Sequence, residues 1–94
     1  MAIFAVEYVY DPARSTEMDA VRPAHRAHTA GLNEQGALIA SGPWVGGRPG
    51  AFFLVRAESE EGALDVLAED PFFLDGFVLS RTVRQWNPVT GNLA

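Results

Sequence analysis

The sequence predicts an α+β fold of element order β-α-β-β-α-β, a four-stranded antiparallel sheet with two helices on one face. Three observations predict it. Strand-type patterning falls at residues 3–10, 37–40, 51–57 and 77–86. Helix-type patterning separates the first strand from the second and the third from the fourth. The middle strands are joined by a Gly-rich loop short enough for a hairpin. Two right-handed crossovers around a central hairpin give the ferredoxin-like arrangement.

The first strand carries Phe4, Val6, Tyr8 and Tyr10 on one face and Ile3, Ala5, Glu7 and Val9 on the other. Both faces are largely apolar, so both are expected to be covered. Asp11-Pro12 breaks the strand. In the helix expected over 16–35, Met18, Val21, His25, His28 and Leu32 recur at spacings of three and four, which is one helix face. Thr16-x-x-Asp19 has the pattern of a capping box. Pro23 implies either a helix start near Asp19 or a kink. Gly36 suits the residue after the helix.

The second strand ends at Ala40, and Ser41-Gly42-Pro43-Trp44 reads as its closing turn. Gly46, Gly47, Pro49 and Gly50 form the loop. The third strand alternates Phe52 and Leu54 with Phe53 and Val55. Ser59 caps a second helix, with Glu60 and Glu61 in its first turn. Asp70-Pro71 ends that helix, Phe72, Phe73 and Leu74 make an apolar turn, and Gly76 introduces the last strand. Residues from about 87 form a tail.

At 94 residues the chain is expected to be one domain, 1–94. A hydrophobic fraction of 48 % excludes disorder. A domain this small buries only about 60–65 % of its unfolded surface. The second apolar sheet face therefore needs a cover, and a second copy of the sheet is the simplest one.

The formal net charge is −5, and all seven basic residues are Arg. That field repels phosphate, so neither nucleic acid nor an anionic membrane surface is an expected partner. Zero Cys excludes a disulfide scaffold, a thiol nucleophile and thiolate zinc sites. The opening residues show no signal-peptide pattern, and no apolar run approaches the ~20 residues that span a bilayer. A soluble cytoplasmic domain is the expectation.

No phosphate loop, dinucleotide fingerprint or G-x-S-x-G elbow is present. His25 is the most informative residue, because its helix face points it inward. An inward histidine needs a partner for its ring nitrogens. From the residues alone a structurally satisfied histidine is the favoured reading; general acid–base chemistry is the functional one. His25 and His28 at i, i+3 lack the further ligands a metal site needs, so no metal is expected. Asp70 before a proline favours a bend, and its alternative role is orienting a histidine. At a helix C-terminus its charge would oppose the dipole. Gly42 allows close approach of a ligand to the backbone, with Ser41 beside it as a hydrogen-bonding group. Trp44, Phe72 and Phe73 are either core or the lining of an aromatic-sized pocket.

Arg22-Pro23-Ala24-His25, then Gly36, Ser41-Gly42-Pro43, Asp70-Pro71-Phe72 and Gly76, resemble the YciI-like (YCII-related) family over nearly the whole chain. The resemblance implies a ferredoxin-like fold forming a dimeric α/β barrel. It implies an active site built from a histidine and an aspartate, which map onto His25 and Asp70. Arg22, Ser41 and Gly42 match the same pattern beside it, with Trp44 and Phe72 as further substrate-binding candidates. One activity in the family is dehydrochlorination of a chlorinated hydroxyhydroquinone, without metal or organic cofactor. The ending Gln85-Trp86-Asn87-Pro88 departs from the family's valine–aromatic–lysine-like tail.

The resulting expectation is a homodimeric, cofactor-free enzyme acting on a cyclic or phenolic small molecule. His25 and Asp70 would supply acid–base chemistry for an elimination, isomerisation or ring closure. The alternative is a non-catalytic metabolite-binding or accessory domain.

Overall fold

The computed structural model describes residues 1–93. Strand β1 (Ala2–Tyr10) leads through a short 3-10 turn (Pro12–Arg14) into helix α1 (Ser15–Glu34). Strands β2 (Leu38–Pro43) and β3 (Gly50–Ala57) follow. Helix α2 (Glu60–Val66), the one-turn helix α3 (Pro71–Leu74) and strand β4 (Val78–Trp86) complete the chain. The sheet order is β2-β3-β1-β4, with every neighbouring pair antiparallel. This is the expected ferredoxin-like α+β fold.

The even residues of β1 explain where the core sits. Phe4, Val6 and Tyr8 are buried with Phe53 and Val55 of β3, and with Met18, Leu67 and Phe72 from the helical layer. Register places Ala5 opposite Leu54 and Arg84, and Glu7 opposite Phe52 and Thr82, on the other face. Ile3 is buried there beside its cross-strand neighbour Trp86, whereas Trp86 itself is half-exposed. That second face is apolar along β1 and β3, but β4 adds Ser80, Thr82 and Arg84 to it.

Five local details differ from the expectation or decide between its alternatives. Helix α1 starts at Ser15, so Pro23 lies inside it rather than in its first turn. Lacking an N–H, Pro23 leaves the carbonyl of Asp19 without its helical partner. The Thr16 capping box is replaced by Asp11, which accepts from the Ala13 N–H at 3.0 Å and caps the preceding 3-10 turn.

Ser41, Gly42 and Pro43 are not a turn but the end of β2, paired with Phe53, Phe52 and Ala51. Pro43 is tolerated because β2 is an edge strand, where a missing N–H breaks no ladder. The second helical stretch divides, and Asp70 becomes the N-cap of α3 instead of the end of α2. The dipole argument then reverses sign: a carboxylate at a helix N-terminus is favourably placed. Finally, β4 begins at Val78, one residue after the expected start.

Candidate active site

The Asp70-Pro71 pair builds the centre of the site. Pro71 presets the first helical position of α3, and Asp70 adopts the extended backbone of a cap. Its Oδ1 accepts the Phe72 N–H at 3.1 Å. The same oxygen lies 2.6 Å from Nδ1 of His25, a residue 45 positions earlier on α1. Asp70 is fully buried, and the His25 side chain is 13 % exposed. The Phe72 ring stacks on the imidazole, centroids 4.1 Å apart and planes within 8°. Carboxylate at one edge and phenyl on one face fix the histidine's orientation. With Nδ1–H donating to Asp70, the neutral ring presents Nε2 as its free acceptor.

His25 opens onto a cavity of about 430 Å³ between α1 and the β2–β3 end of the sheet. That volume lies in the range of small-molecule sites. Arg22, His25, Ser41, Gly42, Trp44 and Phe72 all line it, whereas Asp70 sits behind the imidazole. Arg22 is tethered to Asp19 at 3.1 Å, with its guanidinium carbon 5.5 Å from the Phe72 centroid. Trp44 stands half-exposed at the rim against Phe52, ring centroids 5.8 Å apart. The Trp44 backbone N–H donates to the Gly50 carbonyl at 3.1 Å and closes the loop. Gly50 has to be glycine: a Cβ there would run into the Tyr8 carbonyl and crowd the Trp44 indole.

Sequence reasoning missed Tyr10, Met18 and Arg26, which also line the cavity. Arg26 was legible in principle, one helical turn beyond Arg22 and adjacent to His25. Phe73 does not line the cavity; its ring lies under the guanidinium of Arg81, 4.0 Å away. His28 lies outside the cavity, its Nε2 buried without a partner among the described residues. Among the described residues no group of three or more His, Cys, Asp or Glu is placed to hold a metal. None of the described helices is long and apolar enough to cross a membrane.

Two phenols share the buried ground behind the dyad. The hydroxyls of Tyr8 and Tyr10, and Oδ2 of Asp70, are buried without partners among the described residues. Burial first, and the Asp70 charge second, push Tyr8 up to about 12; Arg81 pulls the other way without bonding the hydroxyl. Tyr10 is raised by burial, then by Asp70 and Tyr8.

Both folded values exceed the ordinary value of about 10, so the fold binds the protonated phenols more tightly. Stability from this source is complete below about pH 10 and falls as pH rises through the folded values. These are the only two tyrosines in the chain, so phenolate absorbance reports them directly. An alkaline titration is expected to show phenolate forming only together with loss of near-UV circular dichroism. Ionisation near pH 10 with the fold intact would contradict this assignment.

A YCII-related domain model matches residues 2–87 of the chain. No curated protein sequence matches it. Among solved structures, 5-chloro-2-hydroxyhydroquinone dehydrochlorinase from Burkholderia phenoliruptrix AC1100, in complex with 2,5-dihydroxybenzoquinone, is similar in fold. The TM-score is 0.77 at 22 % identity, over 90 % of this chain and 93 % of that one.

Proposed function

We propose, for a chain that belongs to the YCII-related domain family, that it is a small-molecule enzyme whose His25–Asp70 pair performs acid–base chemistry on a cyclic or phenolic metabolite. The observation that carries this reading is the 2.6 Å contact between His25 Nδ1 and a fully buried carboxylate, at the wall of a cavity of small-molecule size. Nε2 of His25 takes a proton from a ring hydroxyl or an acidic ring C–H. With the substrate in its keto tautomer, where the carbon bearing the leaving group carries a hydrogen and is sp3, the electron pair released from a ring hydroxyl moves through the ring and expels that group as its anion, which completes an elimination. The same proton returned at another ring position gives an isomerisation instead. Asp70 stabilises the imidazolium that forms and keeps Nε2 aimed at the cavity.

No hydrogen bond joins Ser41 to His25 among the described residues, which disfavours an acyl-enzyme route. Arg22, Ser41, Gly42, Trp44 and Phe72 are assigned to substrate binding. A ring of the size bound by the similar dehydrochlorinase suits the cavity, and the proposed chemistry runs without a metal or organic cofactor. We further propose that residues 1–94 act as one domain, that the protein works in the cytoplasm, and that it is a homodimer closed through the second sheet face.

The test is chloride release from 5-chloro-2-hydroxyhydroquinone, together with solvent deuterium exchange into a panel of hydroxylated rings. Turnover of one of these compounds, reduced by about 10³-fold or more in His25→Ala, is the expected result. Ring binding that survives His25→Ala with no exchange or turnover would instead favour the accessory, non-catalytic role.

A further inference from the structure

We propose that the cavity selects an anionic ring ligand, and that its charged substituent is held between Arg26 and Ser41 with Arg22 above the ring. The inference rests on the cavity being the working site and adds the ligand's charge and orientation. The chain as a whole is acidic, with a net charge of −5, yet two of its seven cations line this one cavity. They lie on successive turns of α1 and flank His25.

The two cations differ in how they are committed. Arg22 is partly neutralised by Asp19 at 3.1 Å. Arg26 has no ion pair among the described residues. The carboxylate that lines the cavity, Asp11, already accepts the Ala13 N–H. Asp11 lines the main cavity but not the adjoining recess, where Arg26 is the one charged side chain among the lining residues, and a local positive field of this kind on an otherwise repulsive surface concentrates anions at one place.

The position of the charge follows from the walls. Arg26 and Ser41 line both the main cavity and a shallower adjoining recess of about 320 Å³ that contains Thr29 and Asn33. The amide of Asn33 is committed to the carbonyls of Leu38 and Ile39, at 2.8 and 3.2 Å. Where the two cavities meet, the uncommitted groups are therefore a guanidinium fork and a hydroxyl. Both donate, and together they match a carboxylate or phenolate. The ring itself is directed toward His25, whose imidazole is held flat against the buried Phe72.

Benzoate and benzamide separate charge from shape, since they share a ring and differ in one charge. Calorimetric titration at low ionic strength is expected to show benzoate bound about tenfold or more tightly than benzamide, with the gap narrowing as sodium chloride is added. Arg26→Gln is expected to remove most of that gap. Arg48→Gln, in the exposed loop, changes net charge equally and is expected to preserve it. Equal binding of the two probes, no saturable benzoate binding, or equal losses in the two variants overturns the proposal. Turnover that depends on His25 without any charge preference would sink this inference and leave the acid–base reading standing. Charge preference without turnover would do the reverse.

Discussion

In the proposed acid–base mechanism Asp70→Asn is expected to lower kcat by about 10²-fold while the fold and the substrate KM stay close to wild type. The geometry makes this substitution unusually clean. One oxygen, Oδ1, serves both the Phe72 N–H and Nδ1 of His25. An asparagine carbonyl can occupy that place and accept both bonds. Its NH2 then replaces Oδ2, which has no partner among the described residues, in ground that also holds two phenol oxygens able to accept. Cap, tautomer and ring orientation are retained, and only the negative charge is lost. Charged hydrogen bonds contribute about 1.5–3 kcal/mol, which corresponds to one to two powers of ten in rate if the charge acts on the imidazolium alone.

Asp70→Ala removes the cap and the orienting oxygen as well, so it is expected to lose stability by a further ~1–2 kcal/mol and nearly all activity. Kinetics and thermal unfolding on both variants separate these effects. The tyrosines supply an independent check: without the Asp70 charge, their alkaline titration moves back toward the ordinary range. Wild-type kcat in Asp70→Asn would show that the aspartate caps α3 and does not support catalysis.

The fold was readable because each element repeats its pattern over several turns or pleats. Alternation in residues 3–10 and the three-and-four spacing from Met18 to Leu32 are properties of the local chain. The errors lie where one residue type serves two structures. Ser41-Gly42-Pro43 has turn composition, but β3 offers an edge to pair with, and the ladder decides the outcome. Asp70-Pro71 correctly marked the end of one helix, yet the same dipeptide starts another.

The site was legible to the extent that helical spacing turns His25 inward. Its contact with a residue 45 positions away is a product of the sheet order and the packing of α3 on α1, which no spacing in the chain expresses. Arg26 escaped notice because it lies just off the apolar stripe, where a charge reads as solvated surface. The cavity wall reaches it only because β2 runs on as far as Pro43.

Leu54→Asp is expected to convert the proposed dimer to monomers. Leu54 lies near the middle of the second sheet face, paired with Ala5 on one side and Ala40 on the other. Ile3, Ala5 and Glu7 on β1 and Phe52 and Arg56 on β3 surround it. The helices cover the opposite face, so among the described residues no helix or strand shields this one. The same face carries one carboxylate, Glu7, and two guanidiniums, Arg56 and Arg84, so two copies bring complementary charges to a two-fold contact.

A stable interface of this type buries on the order of 1,600 Å². In a free monomer Leu54 is already partly exposed, and a charge there costs little. In the proposed dimer the new carboxylate of each protomer would be taken out of water where a leucine fitted, at several kcal/mol per ion, which Arg56 and Arg84 on the same face offset only in part. Dissociation should therefore strengthen by about 10³-fold or more. Sedimentation equilibrium is expected to give wild-type particles of two 10.2 kDa chains and Leu54→Asp particles of one. The wild-type melting temperature should rise with protein concentration and the variant's should not. A wild-type monomer whose melting temperature ignores concentration would refute the sheet-face dimer. The cavity draws its walls from α1, β2, β3 and α3 of a single chain. Turnover that persists in the Leu54→Asp monomer would then assign the dimer a stabilising role, separate from the chemistry of His25 and Asp70.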